Sequence, residues 1–436
     1  MLISLLRSLT YTVALLSSSA GARSTTWDWN GIIGDGQSLS VGAHGLPIES
    51  TRQPYGNLKV NTDSLPWPVD PNDPKITLVP LVEPVGRLAK TYPSSWPENI
   101  DGETPHSAAG NEISALSIAR FGHDLVTVHD AVGEDGQGMI YLKKGATHHG
   151  LSGRSYEAAI IQTKAIARLA EDAGKSFGVG AIFMTHGETD TGNAKYEEEL
   201  YQLWSDYDTD LKAITGQKQD VVMIVSQHNR LGEYSPSTIA QWAIGDHHPH
   251  EIVCSGPKYQ YPYFTDGLHL TADGYRQLGE KYGQVYFERV VLGSNWRPLE
   301  PVKVEHTGKI ITIQFHVPIQ PLVWDSTLGD PHPSTAEWAK GKGFEVSDPQ
   351  GKPVMIDSAE IKGSDTVLLT CGTDPGVGAR LSYALVGEKA MQKAPFGASP
   401  HWGILRDSDP FVGAVTHVAQ PNFCVAFLWP LNPAPH

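Results

Sequence analysis

The chain has 436 residues, of which 40% are apolar, and its formal net charge at pH 7 is −15. This length and composition allow two domains with packed cores. Nucleic acids and anionic membrane surfaces are bound through clustered Lys and Arg side chains. An acidic chain without basic clusters therefore argues against both classes of partner.

The first 22 residues have the pattern of a cleaved signal peptide. Arg7 gives a positive start, Leu9 to Leu16 form a short apolar run, and Ala20-Gly21-Ala22 matches a cleavage site. The run is too short to span a bilayer, and no Cys follows the cleavage site for lipid attachment. We predict a secreted or periplasmic protein with no membrane anchor, whose mature chain begins at Arg23.

The stretch from Trp29 to Ser38 comes next, and it predicts a short buried strand that stops at glycines, with Ser38 just past the turn. Gly34 and Gly36 permit a tight turn with backbone angles that other residues avoid. A serine at the end of a central strand can face a substrate, which makes Ser38 a candidate nucleophile. The alternative is that Gln37 and Ser38 merely cap the next helix, since Ser is a preferred N-cap residue.

Residues 28–295 alternate between strand and helix patterns. After the opening strand, residues 41–110 form a long irregular region rich in Gly, Pro and Trp, which we expect to wall a substrate cleft. Such alternation predicts a parallel sheet covered by helices on both faces. The predicted helices are Asn111 to Arg120, Ser155 to Ala173, Lys195 to Ile214, Ser237 to Ile244 and Thr271 to Val291. The predicted strands are Leu125 to Val128, Val179 to Met184 and Val221 to Val225.

The pattern changes to short strands separated by turns near Asn295. We therefore predict an α/β domain over residues 23–297 and a smaller, sandwich-like β-rich domain over residues 298–436. The tail from Val412 to Leu428 either adds strands to the second domain or packs on the first. The three cysteines permit one disulfide after export, for which Cys371 with Cys424 is the more plausible pair.

Polar motifs follow predicted strands at three places, where active sites of parallel sheets form. They are Gly36-Gln37-Ser38, His186-Gly187-Glu188-Thr189-Asp190 and Asp266-Gly267-Leu268-His269. Residues three apart in a turn face the same side, so Asp266 can hold one ring nitrogen of His269 while the other faces a hydroxyl. A serine nucleophile needs such a base, although no G-x-S-x-G elbow of the α/β-hydrolase fold is present.

Together these motifs resemble the SGNH (GDSL-like) hydrolase superfamily, and most closely its branch of sialate O-acetylesterases and acetylxylan esterases. The G-Q-S first block is matched at Ser38, the G-P-E-like second block by Gly110-Asn111-Glu112, the third block by residues 186–190, and the D-x-x-H block by Asp266 to His269. The resemblance spans about residues 30–280. It implies a flavodoxin-like, three-layer α/β/α hydrolase domain that needs no cofactor and no metal.

Roles for individual residues follow from the same resemblance. Ser38 would be the nucleophile, His269 the general base and Asp266 the residue that orients it. The backbone N–H groups of Ser38 and Gly110, with His186, would line the oxyanion hole. Gln37, Glu112, Glu188 and Asp190 would contact the substrate or support the site. Two positions depart from the family pattern, because Leu39 follows the G-Q-S block and His186 replaces a glutamine.

Two rival interpretations use other residues. Asp246-His247-His248-Pro249-His250 could bind a metal, although adjacent histidines rarely converge on one ion. Glu188 and Asp190 could form a glycosidase pair, although their spacing fits loop support better.

The favoured hypothesis is a serine esterase that removes O-acetyl groups from a carbohydrate through an acetyl-enzyme. The first alternative is a carbohydrate-binding protein with a degenerate esterase domain, and the second is a lipase or thioesterase of the same fold. The sequence identifies neither the sugar nor the oligomeric state.

Overall fold

The computed structural model describes residues 27–61, 69–85, 102–148, 151–152, 154–228, 235–387 and 401–431. The signal peptide predicted over residues 1–22 lies outside these ranges. None of the helices in the described part is long and apolar enough to cross a membrane.

The described residues of the first part of the chain form nine strands and six helices. The strands are β1 (Trp29–Gly36), β2 (Leu58–Asn61), β3 (Thr77–Pro80), β4 (Thr127–Ala131), β5 (Thr147–His148), β6 (Leu151–Ser152), β7 (Phe177–Thr185), β8 (Val222–Gln227) and β9 (Ile252–Pro257). The helices are α1 (Pro105–Phe121), α2 (Met139–Leu142), α3 (Arg154–Asp172), α4 (Tyr196–Thr215), α5 (Pro236–His247) and α6 (Ala272–Tyr286), which a π-helical turn extends over Phe287–Val291.

Seven of these strands form one sheet in the order β3-β2-β4-β1-β7-β8-β9. All neighbouring pairs are parallel except β2 with β3, which is antiparallel. The five strands β4-β1-β7-β8-β9 have the 2-1-3-4-5 order of flavodoxin-like folds. In this order the chain leaves β1 to one side and later returns to its other side, so the carboxyl end of β1 is the switch point where ligands bind.

Side chains alternate between two covered faces of the sheet, as a strand's period of two requires. Ile32 and Phe183 pack with α1 and α6, whereas their neighbours Ile33 and Met184 pack with α3, α4 and α5. Both faces are therefore apolar and buried, which explains why β7 is apolar over nearly its whole length. The three-layer α/β/α arrangement predicted above is confirmed.

The second part of the chain is built from antiparallel strands. These are β10 (Glu300–Thr307), β11 (Ile310–His316), β12 (Val323–Trp324), β13 (Phe344–Ser347), β14 (Ile356–Lys362), β15 (Thr366–Cys371), β16 (Arg380–Tyr383), β17 (Leu405–Arg406) and β18 (Phe427–Pro430). A four-stranded sheet (β10-β11-β15-β14) and a three-stranded sheet (β13-β16-β18) share one apolar core. This is the sandwich-like, β-rich architecture that the sequence predicts.

The prediction missed several elements. Helix α1 begins at Pro105 rather than Asn111, because Thr104 accepts a hydrogen bond from the His106 N–H and Pro105 occupies the first helical position. The region 41–110 contains β2 and β3, two short edge strands in a Pro-rich context; residues 62–68 and 86–101 of this region are outside the described ranges. The three cysteines are buried free thiols, so the predicted Cys371–Cys424 disulfide is wrong.

The tail from Val412 to Leu428 both adds a strand to the β-rich part and packs on the α/β part. Strand β18 pairs with β16, while the preceding segment packs on the α/β part: Gln227 exchanges two hydrogen bonds with the backbone of Ala426, each 2.7 Å long. A turn over residues 413–416 is bound by two buried carboxylates of the helices. Glu112 accepts the Ala414 N–H (2.7 Å), and Glu280 accepts the N–H groups of Val415 (2.8 Å) and Thr416 (2.6 Å).

These contacts correct the role predicted for Glu112. It lies on α1 and binds the backbone of the tail, so the structure places it as a structural anchor and not beside a substrate. Burial raises its pKa to about 8, and the neighbouring Glu280 carboxylate adds to the rise.

We expect the pKa of Glu112 to make stability depend on pH. Its ordinary pKa is 4.5, so the unfolded chain releases this proton first and the folded chain keeps it up to about pH 8. The free energy of unfolding should therefore fall between pH 5 and pH 8. Glu112→Gln keeps an acceptor for Ala414 without the proton, and should flatten this fall in urea titrations at several pH values. An unchanged pH slope in the variant would contradict the assignment, and Glu171→Gln, at an exposed position of α3, serves as control.

Candidate active site

Ser38 lies at the switch point of the sheet, in a turn that only glycine allows. Gly36 has a φ of +135°, and a Cβ on it would come within 2.1 Å of the Thr185 carbonyl oxygen. The next residue, Gln37, donates its N–H to that carbonyl (3.2 Å). Ser38 then opens a single 3₁₀ turn, Ser38–Ser40, so its side chain leaves the sheet at its carboxyl edge.

The Ser38 hydroxyl faces His269 and not the backbone of the following turn. Its Oγ is 2.9 Å from Nε2 of His269. The 3₁₀ turn has no side-chain cap, so the alternative in which Gln37 and Ser38 serve as caps has no support in the structure. Ser38 is 2% exposed, which shields the hydroxyl from bulk water.

Asp266 holds the other side of the His269 ring. Its Oδ2 is 2.6 Å from Nδ1 of His269, and its Oδ1 accepts the N–H groups of Leu268 (2.9 Å) and His269 (3.0 Å). Burial alone would raise the pKa of Asp266, but these hydrogen bonds outweigh burial and lower it to about 2. Asp266 is therefore an anion, which fixes the proton of His269 on Nδ1 and leaves Nε2 as an acceptor for Ser38.

The loop that carries this pair is fixed at both ends. Phe264 donates its N–H to the His269 carbonyl (2.8 Å), and Tyr263 forms a β-bridge with Leu270. Thr271 then caps α6 by accepting the Gly274 N–H. The base is thus held two residues before the N-cap of a helix rather than on a free loop.

The prediction that Gly110 and His186 donate hydrogen bonds to the oxyanion is wrong. Gly110 is the sixth residue of α1, beyond the helix start where N–H groups lack an intrahelical partner, and its neighbours are Leu81, Thr127 and His129. Burial lowers the pKa of His186, so its ring is neutral. Its Nε2 then donates to the Gln137 carbonyl (3.0 Å) and its Nδ1 accepts from the Tyr196 hydroxyl (3.0 Å), which leaves no N–H for a substrate.

The other predicted residues anchor the loop after β7, and Gln37 joins this loop to the Ser38 turn. Gln37 accepts the Thr189 N–H through its side chain (3.1 Å), and Asp190 accepts the Met139 N–H (2.6 Å). Glu188 forms a buried ion pair with Lys258. Burial would raise the pKa of Glu188, but the Lys258 ammonium group and His228 lower it to about 2.

These contacts also weigh against the two rival interpretations. Glu188 and Asp190 have separate partners and do not face each other across a cleft. In the His-rich loop, His247 contacts Glu197 (2.5 Å) and His248 stacks on Tyr201, so the histidines do not converge.

Asp135 and His44 also face the catalytic pair, and the sequence analysis missed both. Burial raises the pKa of Asp135, while the His269 and His44 rings oppose the rise. Asp135 follows β4, the neighbour of β1, so a polar run at the end of a predicted strand could have indicated it. The ring centroid of His44 lies 4.7 Å from that of His269, and no motif marks this residue.

Comparisons with known proteins bear on the fold. No protein-family model matches the chain, and no curated protein matches it. A solved structure of a carbohydrate acetylesterase from Xanthomonas citri is similar, with 13% identity, a TM-score of 0.54, and coverage of 92% of this chain and 80% of that one. The chain has the fold of that esterase.

Two further solved structures are more distant. One is a protein from Arabidopsis thaliana, with 16% identity, a TM-score of 0.44, and coverage of 61% of this chain and 99% of that one. The other is a carbohydrate acetylesterase from Sinorhizobium meliloti, with 12% identity, a TM-score of 0.32, and coverage of 59% and 96%.

The ion pair beneath the site gives a test of how the site is held. Lys258→Met leaves the Glu188 carboxylate buried without its cation and should lower the free energy of unfolding by about 3 kcal/mol or more. The double variant Glu188→Gln/Lys258→Met removes both charges and should recover most of this loss. Guanidinium titrations of both variants measure the effect. If the free energy of unfolding of Lys258→Met is within about 1 kcal/mol of that of the parent chain, the ion pair contributes little to stability.

Proposed function

We propose that this chain is a serine esterase that removes O-acetyl groups from a carbohydrate. The observation that carries the proposal is the chain of contacts from Asp266 to His269 Nδ1 (2.6 Å) and from His269 Nε2 to Ser38 Oγ (2.9 Å). Both distances lie within the range of a working nucleophile and base. A degenerate domain used only for binding would not need this geometry.

The proposed reaction has two halves. Ser38 Oγ attacks the ester carbonyl carbon as His269 Nε2 takes the hydroxyl proton, and the Asp266 carboxylate stabilises the resulting imidazolium. Collapse of the tetrahedral intermediate breaks the bond to the sugar oxygen, which receives the proton from His269. Water, deprotonated by His269, then attacks acetyl-Ser38 and releases acetate.

The oxyanion needs donors, and the backbone N–H of Ser38 remains our proposal for one of them. It lies at the start of the 3₁₀ turn, where N–H groups have no acceptor within the turn. Each such donor contributes about 3 kcal/mol to the transition state. The Asp135 carboxylate, beside Ser38 and His269, favours the imidazolium form of the base as the proton arrives.

The substrate class, an acetylated carbohydrate, is inferred from the shared fold and from the arrangement of the motifs. The X. citri protein that shares the fold is described as a carbohydrate acetylesterase, and the first, third and last motifs of the resemblance meet at one edge of the sheet in this chain. Export through the predicted signal peptide would bring the enzyme to extracellular or periplasmic glycans. We accordingly include neutral and acidic acetylated sugars as candidate substrates.

Ser38→Ala should lower acetate release by at least about three orders of magnitude, because the nucleophile is lost. The assay measures acetate from p-nitrophenyl acetate, acetylated xylo-oligosaccharides and acetylated sialosides. Ser40→Ala is the matched control: its hydroxyl belongs to the same turn but donates to the Gln37 carbonyl (2.7 Å). We expect this variant to keep most of the activity.

Three outcomes would count against parts of the proposal. Unchanged activity in Ser38→Ala would remove the mechanism. Hydrolysis confined to long-chain esters would favour the lipase or thioesterase alternative. Sugar binding without acetate release from any substrate would favour the binding-protein alternative.

A further inference from the structure

His44, Asp266 and His269 lie close enough together to hold a metal ion. One possible ligand atom from each residue lies within 4.8 Å of the other two. His44 belongs to the segment after the Ser38 turn, whereas Asp266 and His269 precede α6, and His269 is the residue that contacts the Ser38 hydroxyl. Neither the favoured mechanism nor the family resemblance uses His44.

The backbone of His44 places its side chain beside the general base, and the imidazole lies between two other rings. The φ of His44 is +62°, in the left-handed region that few non-glycine residues adopt. On either side, Gly42 and Gly45 approach the Glu103 carbonyl so closely that a Cβ on them would come within 2.5 Å and 2.6 Å of it. The ring stacks on Phe264 with centroids 4.7 Å apart, and its other neighbour is the His269 ring. The imidazole is thereby presented, exposed, beside the general base.

We propose that this cluster is a binding site for a divalent transition-metal ion of the zinc type, and that the bound ion inhibits the esterase. Two imidazoles and one carboxylate match the ligand preference of Zn²⁺, which binds nitrogen and oxygen at about 2.0–2.2 Å in tetrahedral sites. Ligand atoms in such a site are about 3.3 Å apart. Because the His44 and Asp266 side chains are exposed, they can close the remaining gap by small rotations.

A metal ion bound to either ring nitrogen of His269 would prevent this residue from acting as the general base. If the metal binds Nδ1, it replaces the proton there, and the neutral ring then carries its one proton on Nε2, which cannot accept the Ser38 proton. If the metal binds Nε2, it occupies the lone pair that faces Ser38 directly. In both cases the number of protons on the ring is unchanged, but Ser38 loses its acceptor.

The inhibition rests on the proposed function, whereas the binding does not. Calorimetric titration of the full chain with Zn²⁺ tests the binding, and p-nitrophenyl acetate hydrolysis with increasing Zn²⁺, relative to each variant's own metal-free rate, tests the inhibition. The variants are His44→Ala, Ser38→Ala and His250→Ala. The last removes a histidine of the His-rich loop at residues 246–250, the other candidate zinc site.

We expect the unmodified chain to bind zinc and to lose activity over the same concentration range, with recovery on chelation. His44→Ala should weaken binding by at least about tenfold and shift inhibition equally. Ser38→Ala, which is inactive, should still bind, and His250→Ala should resemble the parent chain in both assays.

Other results would overturn the proposal in distinguishable ways. No zinc binding by the parent chain, binding that is unaffected by His44→Ala, or binding lost only in His250→Ala would remove the site. Zinc binding at His44 with an unchanged rate would remove the inhibition alone. A metal-free chain that hydrolyses no ester would refute the proposed function and leave the calorimetric result to decide the site.

Discussion

The hydrogen bond between His269 Nε2 and Ser38 Oγ joins residues 231 positions apart in the chain, and the candidate site exists only because the fold closes this distance. The crossing order of the sheet puts the end of β1 at the switch point, and Gly36 turns the chain there with a φ of +135°. The loop before α6 brings the base to the same edge. The first strand of the α/β unit and the loop before its last helix therefore meet in one contact 2.9 Å long.

Buried polar and charged side chains hold the surroundings of that contact. Lys258, directly after β9, pairs with Glu188 in the loop after β7, so two parallel strands are tied together at their carboxyl ends. On the helical side, Glu112 and Glu280 bind the turn at residues 413–416, and the β-rich part is thereby attached to α1 and α6. Polar groups buried without partners are costly, so these carboxylates restrict how the tail can pack.

The sequence was most informative where chemistry and local geometry coincide. Asp266 and His269 are three residues apart, and the strand–glycine–serine pattern places Ser38, so the contacts among these three residues could be predicted. Gly110 could not be placed correctly, because Pro105 starts α1 earlier than the apolar pattern indicates and puts this glycine inside the helix. The partners of His186 and the approach of His44 depend on packing between segments far apart in sequence, which periodicity does not reveal.

The most direct test of the account is to find where an ester-like covalent inhibitor attaches. Diethyl p-nitrophenyl phosphate reacts with activated serine hydroxyls, and peptide mass spectrometry locates the diethylphosphoryl group. Because the account makes Ser38 the hydroxyl activated by a positioned base, it predicts one group per chain, on Ser38, and none in a His269→Ala variant. Inactivation with the label on another residue, or equal labelling of Ser38 when His269 is absent, would contradict it.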